Sequence, residues 1–166
     1  MIRPGTPADA EAVARVQVET WQAAYAHALP PEGLAALSVD SRAEVFRRRP
    51  PLVAEAAGEV VGFVAVGASR DAGADGELYA IYVHPDHWGQ GIGQALIAAG
   101  EQRLRELGHG QAILWVLEDN PRARRFYEAA GWSTDGTKRP IEIFGTLVPE
   151  IRYAKELQAA PKARSR

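Results

Sequence analysis

His84 to Ile97 reads HPDHWGQGIGQALI, with glycines at positions 89, 91 and 93 immediately before an apolar helical pattern. A glycine inside a helix costs about 1 kcal/mol relative to alanine, so glycines at a helix entrance answer a demand for unusual backbone angles or close approach. The preceding run, ELYAIYV from Glu77 to Val83, has strand-forming residues and must stop before Pro85, which has no amide hydrogen for a ladder. Beyond the glycines, Ile92, Ala95, Leu96, Ala99, Leu104 and Leu107 form one helix face, ended by Gly108 as a cap. The unit is therefore strand, glycine turn, helix. Such a turn can bind phosphate, because its amides converge and the helix N-terminus carries about half a positive charge.

Upstream, a short strand at Ile2 to Arg3 precedes a long helix from Pro7 to His27, with Ala10, Val13, Ala14, Val16, Trp21 and Tyr25 at helical spacing. PEGLAALS predicts a second helix and DSRAEVFRRR a third, capped by Asp40 or Ser41. LVAEAAGEVVGFVAVGAS predicts two strands joined in a hairpin at Gly58. Downstream, AILWVL is a buried-type strand, and DNPRARRFYEAAGW is a helix capped by Asn120, started by Pro121 and stopped by Gly131. Two further strands are expected near Trp132 to Thr137 and Glu150 to Tyr153. Strands alternating with helices in the middle, with hairpin-like strands at both ends, give an α/β or α+β class: a mixed sheet with helices on its faces. Residues 1–157 are expected to form one domain, and 158–166 a disordered tail.

The chain has 166 residues, 46% of them hydrophobic, enough for one buried core. A formal net charge of −2 gives no reason to expect a nucleic-acid partner. The absence of cysteine excludes disulfides, thiolate metal sites and cysteine nucleophiles. No signal peptide is legible and no apolar run approaches about 18 residues, so no membrane partner is expected and a cytoplasmic location is. His84 and His87 have an H-x-x-H spacing without a third ligand, and no metal is expected.

The spacing separates the phosphate binders. The dinucleotide fingerprint G-x-G-x-x-G fails in both registers, at Gln94 and at Leu96, and the P-loop pattern is absent. The pair of blocks ELYAIYVHPDHWGQGIGQALI and LWVLEDNPRARRFYEAAGW, in that order, resembles the GNAT superfamily of acetyl-coenzyme A dependent N-acetyltransferases. The resemblance implies the GNAT fold: a central, mostly antiparallel sheet of about seven strands with a splayed parallel pair after the fourth. It also implies a cofactor diphosphate on the amides of a [RQ]-x-x-G-x-[GA] turn, here Trp88, Gly89, Gln90, Gly91, Ile92 and Gly93, continuing to Gln94, with Gly91 and Gly93 making room for phosphate oxygens. Trp88 departs from the pattern. Backbone groups of Ile81, Tyr82 and Val83 would pair with the pantetheine arm, and Asn120 and Arg124 would contact the cofactor, although capping alone also accounts for Asn120.

Alkyl amines have a pKa near 10.4, so freeing the nucleophile at neutral pH costs about 4 to 5 kcal/mol and calls for a base. By the resemblance Glu77 is the first candidate, against a plain solvated carboxylate, with Glu118 and Asp119 as alternatives. Tyr127 would occupy the place of the family's acid and protonate the departing thiolate, against a core role for the same ring. Trp21, Tyr25, Tyr79 and Trp115 either line the acceptor pocket or belong to the core, as does Trp132. The expected activity is direct transfer of acetyl from acetyl-CoA to a small-molecule or peptide amine, with a non-catalytic acyl-CoA module as the alternative and a homodimer as the expected assembly.

Overall fold

The computed structural model describes residues 1–157, and the tail expected from Gln158 onward lies outside them. Seven strands, β1 (Ile2–Pro4), β2 (Leu52–Ala56), β3 (Glu59–Ala68), β4 (Gly76–Val83), β5 (Gln111–Leu117), β6 (Ser133–Ile143) and β7 (Thr146–Glu156), form one sheet. Its order is β1-β2-β3-β4-β5-β7-β6. Only β4 and β5 run parallel; the other pairs are antiparallel. Five helices accompany them: α1 (Ala10–Ala24), α2 (Pro31–Ala35), α3 (Val39–Arg48), α4 (Ile92–Glu106) and α5 (Pro121–Ala129). No helix among the described residues is long and apolar enough to cross a membrane.

The two-residue period of each strand divides its side chains between the faces. On one face Val64, Leu78, Leu114, Ile151 and Tyr153 pack with Leu96 and Leu104 of α4 and Tyr127 of α5. On the other, Val13 of α1 and Phe46 of α3 cover Val53 and Phe63. Farther along that face, Tyr25, Leu29 and Leu34 meet Leu117 of β5 and Ile141 of β6. Each large side chain so buried contributes about 1.5 to 3 kcal/mol.

Several boundaries differ from the sequence expectation, each for a local reason. Pro7–Asp9 forms a 3-10 turn rather than the first turn of α1, with the Asp9 carboxylate accepting from the Thr6 amide at 2.8 Å. Ser38, not Asp40 or Ser41, caps α3: its hydroxyl accepts from the Ser41 amide at 3.2 Å. The last two strands are much longer than expected and form a hairpin turning at Phe144 and Gly145, both at positive φ. The β6 sequence STDGTKRPIEI conceals its strand because β6 is an exposed edge, where Gly136 and Pro140 are tolerated.

Two irregularities create the site. β4 and β5 pair only at Gly76 with Ala112 and Glu77 with Ile113, after which they diverge. A bulge in β4 makes Tyr79 an extra residue, since Ala65 faces Ala80 while Val66 faces Leu78. A bulge bends its strand, which here coincides with the parting.

Candidate active site

A cleft of about 1050 Å³ occupies the gap between β4 and β5, running from the start of α4 past α5 to Trp115, Arg139 and Glu150 on the opposite face of the sheet. At its α4 end, Gly89 and Gly91 adopt φ of 76° and 80°, a region that side chains disfavour. Gly91 is the N-cap of α4, no side chain caps it, and no acidic residue stands in the first turn. The leading amides of α4 therefore lack partners, and an anion there would meet donors and the positive helix end together. Gly93 serves another purpose: a Cβ there would come within 3.2 Å of Phe126 Cε2, so its smallness lets α5 pack on α4.

Trp88 donates its indole N–H to the Val83 carbonyl at 2.7 Å and carries the Arg122 guanidinium on its ring face, 3.4 Å from the centroid. Arg122 lines the cleft, and desolvation holds its pKa below the ordinary arginine value. A cation thus stands beside the turn, held by the tryptophan that replaces the family's arginine or glutamine. Gln90 is not among the lining residues and pairs with His87 Nδ1 at 3.4 Å. Arg124 is also outside the lining, bound to the Tyr153 hydroxyl at 3.1 Å and the Glu118 carbonyl at 3.2 Å.

Along β4, the His84 amide bonds to Val61 of β3. Antiparallel alternation then directs Tyr82 toward β3 and turns the backbone groups of Ile81 and Val83 to the open edge. The Tyr82 hydroxyl accepts from the Trp21 indole at 2.8 Å, and burial raises its pKa strongly.

Asn120 caps α5 by accepting from the Ala123 amide at 3.1 Å and donates to the Tyr25 hydroxyl at 3.1 Å. This joins the first helix to the fifth across the cleft. Tyr127, one turn into α5 beyond Ala123, is 8% exposed and lines the cleft, and its hydroxyl has no hydrogen-bond partner among the described residues. Burial raises its pKa.

At the far end Trp21, Tyr25, Tyr79 and Trp115 all line the cleft, with Trp21 and Tyr25 edge-to-face at 4.9 Å. Trp115 donates to Asp71 at 2.9 Å and lies under the Arg139 guanidinium at 3.9 Å. Trp132, by contrast, is a core residue bonded to Glu101 at 3.0 Å. Glu77 is buried, and both its oxygens are engaged by Arg70, through the backbone amide at 3.0 Å and the guanidinium at 2.6 Å. Glu118 pairs with Lys138 at 2.7 Å and Asp119 with His27 at 3.7 Å.

Sequence reasoning passed over Glu150. It is 8% exposed, lines the cleft from β7, and has as its nearest cation Arg139 at 3.8 Å. Burial raises its pKa, opposed by Arg139 and reinforced by Glu77. No motif signals it, since the burial arises from β7 lying between β5 and β6.

With this geometry in view, the comparisons agree. The acetyltransferase (GNAT) family model matches residues 11–132, and the chain belongs to that family of acetyltransferases. It is 32% identical over 157 residues to the uncharacterized N-acetyltransferase YuaI of Bacillus subtilis, covering 90% of this chain and 89% of that one. The fold resembles the ribosomal-protein-alanine N-acetyltransferase of Brucella melitensis with a TM-score of 0.76 at 25% identity, covering 95% and 99% of the two chains. It also resembles the PaiA N-acetyltransferase of Thermoplasma acidophilum, solved with coenzyme A, with a TM-score of 0.73 at 20% identity over 94% and 98%. The unpartnered amides of α4, the open edge of β4 and the cation on Trp88 form a donor set that fits coenzyme A.

Proposed function

We propose that the chain transfers an acetyl group from acetyl-CoA to a primary amine by direct attack, with both substrates in the cleft at once. The observation that carries this reading is one continuous cleft joining the uncapped α4 turn, the unpartnered Tyr127 hydroxyl and a pair of buried carboxylates. The amides of Ile92, Gly93 and Gln94, with the turn at Gly89 and Gly91 and the Arg122 cation, hold the diphosphate. Ile81 presents its amide and carbonyl, and Val83 its amide, to the pantetheine arm, the Val83 carbonyl being held by Trp88; an amide of this edge polarises the reacting carbonyl.

Acetyl-CoA, when bound, supplies an already activated thioester. The protein aligns an amine with it and manages protons. Trp21, Tyr25, Tyr79 and Trp115 line the acceptor end together with the charged groups of Arg70, Glu77, Arg139 and Glu150. The amine's excess proton leaves toward a buried carboxylate at this end, and Tyr127 donates to sulfur as the C–S bond breaks. Asn120 holds Tyr25 and the start of α5 in place.

The test is free-thiol release from acetyl-CoA across a panel of primary amines, with the coenzyme A dependent rise in melting temperature as a binding control. Stabilisation together with amine-dependent thiol release supports the reading. Absence of stabilisation, or of release with every amine, sinks it.

A further inference from the structure

The two buried carboxylates at the acceptor end are not equivalent. Glu77 lies where β4 and β5 still pair, and both its oxygens already accept hydrogen bonds from Arg70. Two charge-assisted bonds, one on each oxygen, fix this carboxylate in place and stabilise its charge. Glu150 stands across the cleft, buried to 8% exposure, with no hydrogen bond from any described residue and only the longer 3.8 Å approach of Arg139 Nη2.

We infer that Glu150, rather than Glu77, binds the acceptor's ammonium group and accepts its proton, while the Glu77–Arg70 pair serves as a fixed electrostatic wall. The inference rests on the acetyltransferase reading given above. Of the three ammonium protons, one stays on the amide nitrogen. Two leave through Glu150 to solvent, the first before the C–N bond forms and the second as the C–S bond breaks. Tyr127 protonates the sulfur and is refilled from solvent, so the net yield is amide, free thiol and one proton.

The surroundings of Glu150 suit a base. Burial and the charges of Glu77 and Asp71 raise its pKa, while Arg139 and Arg70 oppose the rise. Tyr25, at the end of α1, is a further titratable group that senses its charge. A carboxylate whose pKa is raised in this way is a stronger base than an ordinary one.

The experiment is the pH profile of kcat/KM for one fixed amine in wild type and in Glu150→Gln, Glu77→Gln and Arg139→Gln. Glu150→Gln is expected to lower kcat/KM by about 100-fold and to erase the acid limb, while keeping the coenzyme A dependent thermal shift. Removing the like charge with Glu77→Gln should move the limb to lower pH, and removing the cation with Arg139→Gln should move it higher. Survival of the limb in Glu150→Gln, or its loss in Glu77→Gln, would overturn the assignment. Should Glu150→Gln fail to bind coenzyme A, Arg139→Gln decides: an unmoved limb is the contrary result.

A second readout needs no turnover. In the substrate-free protein, an infrared band of a protonated carboxyl should persist above about pH 5, where ordinary carboxylates have ionised. It should be absent in Glu150→Gln and present in Arg139→Gln. A wild type without turnover that still shows the band overturns the acetyltransferase reading alone; a turning-over wild type without it overturns the role of Glu150.

Discussion

Tyr127 is a largely buried ring whose hydroxyl faces the cleft and has no protein partner among the described residues, so it is free to meet a ligand there. Tyr127→Phe is therefore expected to lower kcat about 100-fold while leaving the melting temperature nearly unchanged, which thiol release and a thermal melt would measure together. At the other end of the chain, Arg3 makes a forked pair with Asp9 at 2.8 and 2.9 Å and binds Glu55 at 2.6 Å. This holds the Asp9 carboxyl far below the usual carboxylate range. A lowered folded-state pKa stabilises fully above the unfolded value near 4, and the contribution is lost as pH falls below it. Asp9→Asn should accordingly lower the melting temperature by a few degrees at neutral pH, and the gap from wild type should narrow in acid. Asn120 was legible at this scale as a cap, and Tyr127 through the family resemblance of its block. Glu150 was not: in LVPEIRY it resembles any carboxylate on a solvated strand, and only the neighbouring strands bury it.

Among the elements, the turn into α4 separates glycines that look alike in sequence. Gly91 needs its backbone angle and Gly93 needs its lack of a side chain. An alanine at 91 must enter the left-handed region, costing about 1 to 2 kcal/mol, so Gly91→Ala should lower the melting temperature and shrink the coenzyme A dependent shift. Gly93→Ala should destabilise less, because Phe126 has to yield only a few tenths of an ångström. Thermal melts with and without coenzyme A compare the two. The central elements were readable because β4, α4, β5 and α5 each carry a burial period and an end signal. The terminal hairpin was hidden because an edge strand with one wet face carries little apolar signal. Its tip is nonetheless anchored, since any side chain at Gly33 of α2 would collide with the Phe144 ring.

For the whole molecule, the strand order matters more than any motif. Inserting β7 between β5 and β6 places Glu150 between Leu117 of β5 and Arg139 of β6, and the Arg139 guanidinium lies over the Trp115 ring. No single-chain pattern announces that neighbourhood, so the acceptor end emerged from topology while the turn at α4 emerged from spacing. Coenzyme A should inhibit competitively against acetyl-CoA but not against the amine, a distinction that initial-rate inhibition patterns resolve. The gap between β4 and β5 is lined from both faces of the sheet, so one cleft runs through it instead of ending in a blind pocket. Under the proposed reaction, thiol and acetylated product would therefore have opposite ends of that cleft by which to depart.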